Sequence, residues 1–401
     1  MEKIGALRNP IQEYAWGSHT AIPELMGANS PAERPQAELW MGAHPKAPSL
    51  VRCDSKWVSL LDLIEREPET ILGKKTADRF ANRLPYLFKV LAVANPLSIQ
   101  AHPNRIQAKE GFKRENSLGI PLDAAHRNYR DDSHKPECIC ALTPFWVLKG
   151  FRRISDILFY CDRINPKGLA PLTDDLRNDA DPEGLRRFFH ALMGFKGEKK
   201  KTLIESALSG IEKHRGEDPV FDWMMTLQGV YPFDIGVLSP MILNLIRLEP
   251  NQAMFLPAGQ LHAYLDGVGM ELMANSDNVL RGGLTPKHVD VPELIRILDF
   301  SEGDTDVLAL HQENDCEYRY PSKTDEFFLS VVSVKDRRIF HSEAERSAEI
   351  LFCVSGQATI TDLGDGEEIV VEKGSSVVIP AAVSGYTVKG NAKIYRAATA
   401  L

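Results

Sequence analysis

Cysteine is scarce: six in 401 residues, far below the density of a disulfide-stapled secreted fold. No apolar run approaches the ~18 residues that a membrane-crossing helix needs. The nearest candidate, residues 237–248, is short and interrupted by Pro240, Asn244 and Arg247. The opening MEKIGALRNPIQEYAWG has no apolar core of a signal peptide. Positive charge is in deficit, with 47 Lys and Arg against 55 Asp and Glu, a net charge of -8. That argues against broad nucleic-acid binding, where a basic footprint is expected. Secreted, membrane-spanning and collagen-like classes are thereby excluded. The expectation is a cytoplasmic protein with no nucleic-acid and no membrane partner, acting as a monomer. What is present is ordinary globular composition, 43% hydrophobic and 25% charged, and the length suits two to three domains of ~150 residues.

Along the chain, residues 84–94 (LPYLFKVLAVA) and 138–142 read as buried strands bounded by Pro and polar breaks. Residues 104–115 read as a helix, and the polar stretch 116–135 reads as a long loop, uncommon in a compact domain unless it has a function. The character changes near residue 154. Asp181-Pro182-Glu183 is a helix start, with Leu185, Phe188, Phe189 and Leu192 following at helical spacing. Ile204, Leu208 and Ile211 form a second stripe, and the basic run 199–201 reads as a solvated turn between the two helices. Residues 241–300 return to strand-like text. From about 311 onward, short β-prone runs punctuated by Gly356, Gly364, Gly366, Gly374 and Gly390 indicate a sandwich or barrel.

Four segments carry chemistry. In Leu97-Ser98-Ile99-Gln100-Ala101-His102, strand alternation puts Ser98, Gln100 and His102 on one face. In Pro257-Ala258-Gly259-Gln260-Leu261-His262, Pro and Gly make a tight turn that presents His262 immediately afterwards, the PxGxxH spacing of jelly-roll cupins. In His134-Lys135-Pro136-Glu137-Cys138, Glu137 opens an apolar strand, where an unpaired carboxylate would be costly without a metal or a basic partner. Gln100, His102, Glu137 and His262 together offer two oxygen and two nitrogen donors, a set that suits zinc with room for water or substrate. The fourth segment, residues 275–287, sets Arg281 beside Gly282 and Gly283 with Lys287 nearby, a guanidinium fork and a point charge suited to phosphate. Cys138 and Cys140 share a strand face and are read as packing thiols, and Trp40 and Trp57 as packing residues.

With these segments in view, the chain resembles type I phosphomannose isomerases. The resemblance runs through QEYAWGSH, AELWMGAHPKAPS, LPYLFKVL, LSIQAHPN, HKPE, PAGQLHAYL and GMELMANSDNVLRGGLTPKH into the C-terminal strands, nearly the whole chain. It implies a mainly β fold with an α-helical insertion. A cupin-type jelly-roll core would occupy 1–153 and 237–310, a helical domain 154–236, and a degenerate cupin-like jelly roll 311–401. It also implies one zinc ion per subunit, ligated by Gln100, His102, Glu137 and His262, and interconversion of mannose 6-phosphate with fructose 6-phosphate. Arg281 becomes a catalytic and substrate-binding residue. Trp16, Lys89, His134, Lys135, Glu271, Asp277 and Lys287 fall in segments that line the family's pocket. Ala382 and Gly385 stand where a second PxGxxH copy would place its Gly and His, so the C-terminal barrel is expected to be metal-free.

Aldose–ketose isomerisation moves a proton between adjacent carbons through an enediol. The candidate bases are Lys135, Glu271, Asp277 and His134. His134 is also the candidate ring-opening group, since imidazole both gives and takes a proton near neutral pH. Phosphate is expected on Arg281 and Lys287, with Lys89 as a further candidate. Two rivals compete: an iron-dependent cupin oxygenase and a non-enzymatic sugar-phosphate binder. Gln100 before His102 and the basic 281–287 segment disfavour the first; retention of all ligands and basic residues disfavours the second.

Overall fold

In the computed structural model, which describes residues 1–400, the first barrel is organised around one long strand, His262–Ala274. Residues 262–266 pair antiparallel with Phe145–Phe151. Residues 267–274 pair with Tyr86–Val93 on one side, and residues 269–273 with Glu137–Ala141 on the other. The change of partner falls at Gly267, where φ is +120° and a Cβ would stand 2.6 Å from the Pro144 carbonyl, so only glycine fits the corner. One segment thus carries His262 before the corner and Glu271 beyond it, which lets a jelly roll gather side chains from two layers at one mouth.

Alternation sorts the Glu137–Ala141 strand. Ile139 and Ala141 join Leu91, Val93, Phe145, Met254 and Tyr264 in one apolar cluster, whereas Cys138 and Cys140 join Phe88, Tyr320, Leu329 and Tyr395 in another that bridges to the second sheet. Burial pushes both thiols up, and Cys140 Sγ lies 3.0 Å from the Tyr320 hydroxyl. These are packing thiols.

The second sheet has eleven strands, with Glu349–Asp362 and Tyr386–Ala398 paired along its spine. It also takes in Gly5–Arg8, Leu50–Cys53 and Lys56–Ser59 from the start of the chain. Gly5 and Ala6 pair with Val378 and Val377, while Leu7 and Arg8 pair with Val51 and Leu50. The sheets therefore do not follow the sequential division at 153 and 311: strands from the first segment complete the last one. Inside the second sheet's core lies Arg396, 1% exposed. Its guanidinium meets Glu349 at 3.0 Å and Glu317 at 2.7 Å, and Nε donates to Ser330 Oγ at 3.2 Å. The Tyr386 hydroxyl donates to Glu349 at 2.6 Å, and the Phe328 ring flanks the guanidinium.

Five helices, Ile154–Ile164, Ala170–Asn178, Pro182–Met193, Gly197–Ile211 and Pro219–Val230, pack on the first barrel through a shared apolar cluster. Asp181 caps the third, accepting from Gly184 N at 2.8 Å, and Leu185, Phe188, Phe189 and Leu192 are its buried face. The basic run 199–201 is not a turn: it lies inside Gly197–Ile211. Lysine is a good helix former, and that intrinsic preference outweighs the unfavourable placement of cations near a helix N-terminus. Residues 241–300 also hold a helix, Val291–Ile297, and the segment before residue 80 holds four short ones. Asn104 caps Arg105–Ser117 in a reciprocal capping box with Gln107. Residues 118–136 contain no helix or strand, yet Glu115 fixes them by accepting from Asn128 N at 3.1 Å and Tyr129 N at 2.9 Å. No helix among the described residues is long and apolar enough to cross a membrane.

Candidate active site

His102, Glu137 and His262 are each 1% exposed or less, and one ligand atom from each lies within 4.8 Å of the others. His102 follows the short strand Ile99–Ala101, Glu137 opens its strand, and His262 begins the long strand after the turn. The turn is tied to the neighbouring segment: Gly259, at φ +79°, donates its N–H to the His102 carbonyl at 2.9 Å. His102 Nδ1–H donates to the Asn278 carbonyl at 2.7 Å, and His262 Nδ1–H to the Gln260 carbonyl at 3.0 Å. Those bonds leave both Nε2 atoms as lone-pair acceptors. They point at Glu137, at 3.1 Å and 3.3 Å, without a hydrogen-bond partner. Burial lowers His102 to about 4, so the imidazole is neutral at physiological pH. Burial by itself would raise the Glu137 carboxyl, but the Lys135 ammonium 2.9 Å away outweighs it and holds the group well below its usual range. Two lone pairs and a carboxylate converging in a dry site repel one another unless a cation lies between them. The donor set therefore fits a divalent metal. Gln100 is strand-paired with both His262 and Arg281, which places it beside the cluster.

Around this cluster the charges are ordered. Lys135 Nζ is 2.9 Å from Glu137 Oε1, and the Tyr264 hydroxyl is 3.5 Å from Oε2. Lys89 is buried between Glu38 at 3.1 Å and Glu271 at 3.2 Å, with the Trp40 ring alongside. Trp40 Nε1 also donates to Glu38 at 2.5 Å. Lys89, expected as a further phosphate cation, is thus flanked by two carboxylates. Asp277 accepts from Lys46 at 2.8 Å and faces His44 Nε2 at 3.7 Å. Burial would raise its carboxyl, but bonds from His44 and Lys46 hold it far below the usual range. Glu271 is pushed up by burial against the opposing pull of Lys89.

Arg281 and Lys287 behave differently. The charges acting on them are cations: Arg130 on Arg281, and Arg281 with Arg130 on Lys287, while burial lowers both groups. Together with Arg130 they form a patch of uncompensated positive charge in a chain of net charge -8. His134 and Trp16 make contacts of their own. His134 Nε2 contacts Glu326 at 2.7 Å and Arg105 at 3.1 Å. Trp16 stacks on Tyr14 and accepts the backbone N–H groups of Ala94 and Asn95 through its carbonyl.

Sequence reasoning missed Glu38, Lys46, Arg130, Asn278 and Glu326, and gave His44 no role. Asn278, fully buried, accepts from Arg130 N at 2.7 Å and donates to the Asp131 and Ser133 carbonyls at 2.8 Å. It thereby pins the loop that delivers His134 and Lys135 to the carbonyl that orients His102. Its position in SDNVLRGG was the available signal; Glu326 had none.

A jelly-roll barrel holding two histidines and a glutamate at its mouth, with a second barrel behind, defines a cupin-class metalloenzyme. The family model for the type I phosphomannose isomerase catalytic domain matches residues 4–154, and that for the mannose-6-phosphate isomerase cupin domain matches residues 317–399. Mannose-6-phosphate isomerase of Escherichia coli K12 is 42% identical across 97% of this chain and 98% of its own. The Homo sapiens relative is 35% identical over 75% of this chain and 74% of its own. A crystal structure of a phosphomannose isomerase variant from Salmonella typhimurium superposes with a TM-score of 0.93 at 39% identity, covering 99% of this chain and 100% of that one. A zinc-bound mannose 6-phosphate isomerase structure gives 0.92 at 39% identity with the same coverage. The chain belongs to the type I phosphomannose isomerase family.

Proposed function

We propose that the protein is a cytoplasmic zinc isomerase that interconverts mannose 6-phosphate and fructose 6-phosphate through an enediol. The observation that carries this reading is the pair of orphaned Nε2 atoms on His102 and His262 facing the buried Glu137 carboxylate, next to a cationic patch with no carboxylate acting on it. Gln100, His102, Glu137 and His262 would hold the zinc. When bound, it would act as a Lewis acid for the sugar oxygens.

The residues divide the remaining work. Arg281 and Lys287 receive the anionic part of the substrate, with Arg281 forking toward developing charge. Glu271 and Asp277 are occupied by Lys89 and Lys46, so neither is the general base. Lys135 is also paired, to Glu137 at 2.9 Å, but Glu137 would be a metal ligand and its charge would then be shared with the cation, freeing the amine; we assign Lys135 the proton transfer between C2 and C1. It takes the C2 proton as the C1–C2 double bond forms and O1 gains a proton, then returns it to C1 as O2 gives up its proton and the C2 carbonyl forms, so that one proton passes from C2 to C1 and a second from O2 to O1. His134 opens the sugar ring.

The direct test is fructose 6-phosphate production from mannose 6-phosphate by the purified, zinc-loaded protein. A folded, loaded sample without turnover would move the reading to another sugar phosphate or to a binding protein. Arg281→Lys should lower kcat/KM by roughly a hundredfold, because an ammonium cannot reproduce the guanidinium fork. Near-parental kcat/KM in that variant would remove Arg281 from the chemistry.

A further inference from the structure

Glu326 comes from the second sheet's side of the molecule, in the loop between Glu317–Arg319 and Phe328–Val334, yet its carboxylate reaches the loop that carries His134 and Lys135. It is 6% exposed. Oε1 lies 2.7 Å from His134 Nε2 and 2.7 Å from Arg105 Nη2, and Oε2 accepts from the Thr324 hydroxyl. The loop is anchored on both sides of that contact: Asp325 pairs with Arg79 at 2.5 Å, and Phe327 is buried in the inter-sheet core. Burial alone would raise the Glu326 carboxyl, but the bonds from His134 and Thr324 hold it down at about 2.

Charge balance does not require the histidine. Arg105 already supplies the counter-ion for a buried carboxylate, so the imidazole contact has another consequence. Nε2 faces two partners, the Glu326 carboxylate, which only accepts, at 2.7 Å and Arg105 Nη2, which only donates, at 3.1 Å; Arg105 Nη2 already donates to Glu326 Oε1 at 2.7 Å, so the shorter carboxylate bond places the proton on Nε2. Nδ1, which has no hydrogen-bond partner among the described residues, is then the nitrogen left to exchange a proton. The same logic sets the tautomer of a catalytic histidine in hydrolase triads, where a buried carboxylate grips the ring nitrogen remote from the chemistry.

We propose that Glu326 is a positioning residue: the C-terminal sheet completes the active site by fixing the tautomer and orientation of His134 so that Nδ1 performs ring opening. This rests on the ring-opening role assigned to His134 above.

A double-mutant cycle tests it. Glu326→Gln should lower kcat for mannose 6-phosphate about tenfold or more, part of the ~10²–10⁴ that a positioned acid–base group supplies, with KM and melting temperature near parental. In the His134→Ala background the same change should have no further effect on kcat. A clamp that merely fastens the two sheets would slow both backgrounds by the same factor, and that result, or an unchanged kcat in Glu326→Gln, overturns the proposal. Nitrogen-15 NMR of labelled histidine in the unmutated zinc-loaded protein needs no variant to fold. His134 should read as the Nε2–H tautomer at pH 8, and the Nδ1–H tautomer overturns the assignment. Absence of turnover by the parent would instead count against the isomerase reading, while the tautomer measurement would still decide the role of Glu326.

Discussion

Stripping divalent metal from the protein should lower isomerase turnover by roughly 10³-fold or more, and returning zinc should restore it. Glu137→Ala should show the same loss with no restoration. The physical reason lies in the metal-free arrangement itself. Both histidines are locked by their Nδ1 bonds to backbone carbonyls, so neither ring can turn its Nε2 lone pair away from Glu137 without giving up a buried bond. Glu137 is the only anion of the cluster and touches both Nε2 atoms as well as Lys135. Its removal therefore takes away the charge that would hold a divalent cation and the partner that orients the Lys135 amine. A readout independent of activity accompanies the prediction. A metal that binds only the folded state adds about 2.7 kcal/mol of stability at a hundredfold excess over Kd, so zinc should raise the parental melting temperature and leave that of Glu137→Ala unmoved. Turnover that survives verified metal removal would keep the isomerase and discard the metal's role; a zinc-dependent rise in the melting temperature of Glu137→Ala would place the metal elsewhere.

The parts of this site that were legible in the sequence are those written in local backbone geometry. Strand alternation drew attention to Gln100 and His102, of which His102 lies in the cluster, and the Pro-Gly turn announced that His262 would be presented where a strand begins. The unexplained acid at the head of an apolar strand drew attention to Glu137, and it is buried at the centre of the cluster. What was not legible depends on which distant residue arrives beside a given side chain. Lys89 looks like a spare cation in KVLAVA until antiparallel pairing sets Glu271 directly opposite and Trp40 on the other flank. Nothing in a four-residue strand such as Gly5–Arg8 specifies that it will close the far sheet. Glu326 lies in a polar loop with no motif, and its contact with His134 exists only because the two sheets are docked. The misreading of residues 199–201 has a different origin: a like-charge run signals solvent exposure, and exposure was mistaken for a break in the helix.

Arg396→Met should destabilise the protein by about 3–5 kcal/mol, the usual cost of breaking a buried ion pair from one side. Methionine fills much of the volume, so the loss is electrostatic. Glu349 and Glu317 are 1% and 2% exposed and both lean on this one guanidinium; without it, two carboxylates sit in an apolar core flanked by Phe328 and Phe340. The folded variant would relieve the strain by taking up protons that the unfolded chain, with its carboxylates in water, does not bind near neutrality. When the folded state binds more protons than the unfolded state, stability falls as pH rises. The deficit measured against the parent in urea should therefore shrink as pH is lowered from 7 toward 5. The triple variant Arg396→Met, Glu349→Gln, Glu317→Gln removes the charges together and should recover most of the loss. A pH-independent deficit, or a triple variant no better than the single one, would mean that Arg396 acts through packing. The effect should also reach the active site. The Tyr86 hydroxyl donates to the Ala348 and Ala397 carbonyls, next to Glu349 and Arg396. Tyr86 opens the strand that carries Lys89. Loosening the second sheet at Arg396 should thus lower the temperature at which zinc-dependent turnover is lost as well as the melting temperature of the chain, because Tyr86 ties the strand that carries Lys89 to the backbone beside the buried charges of the second sheet.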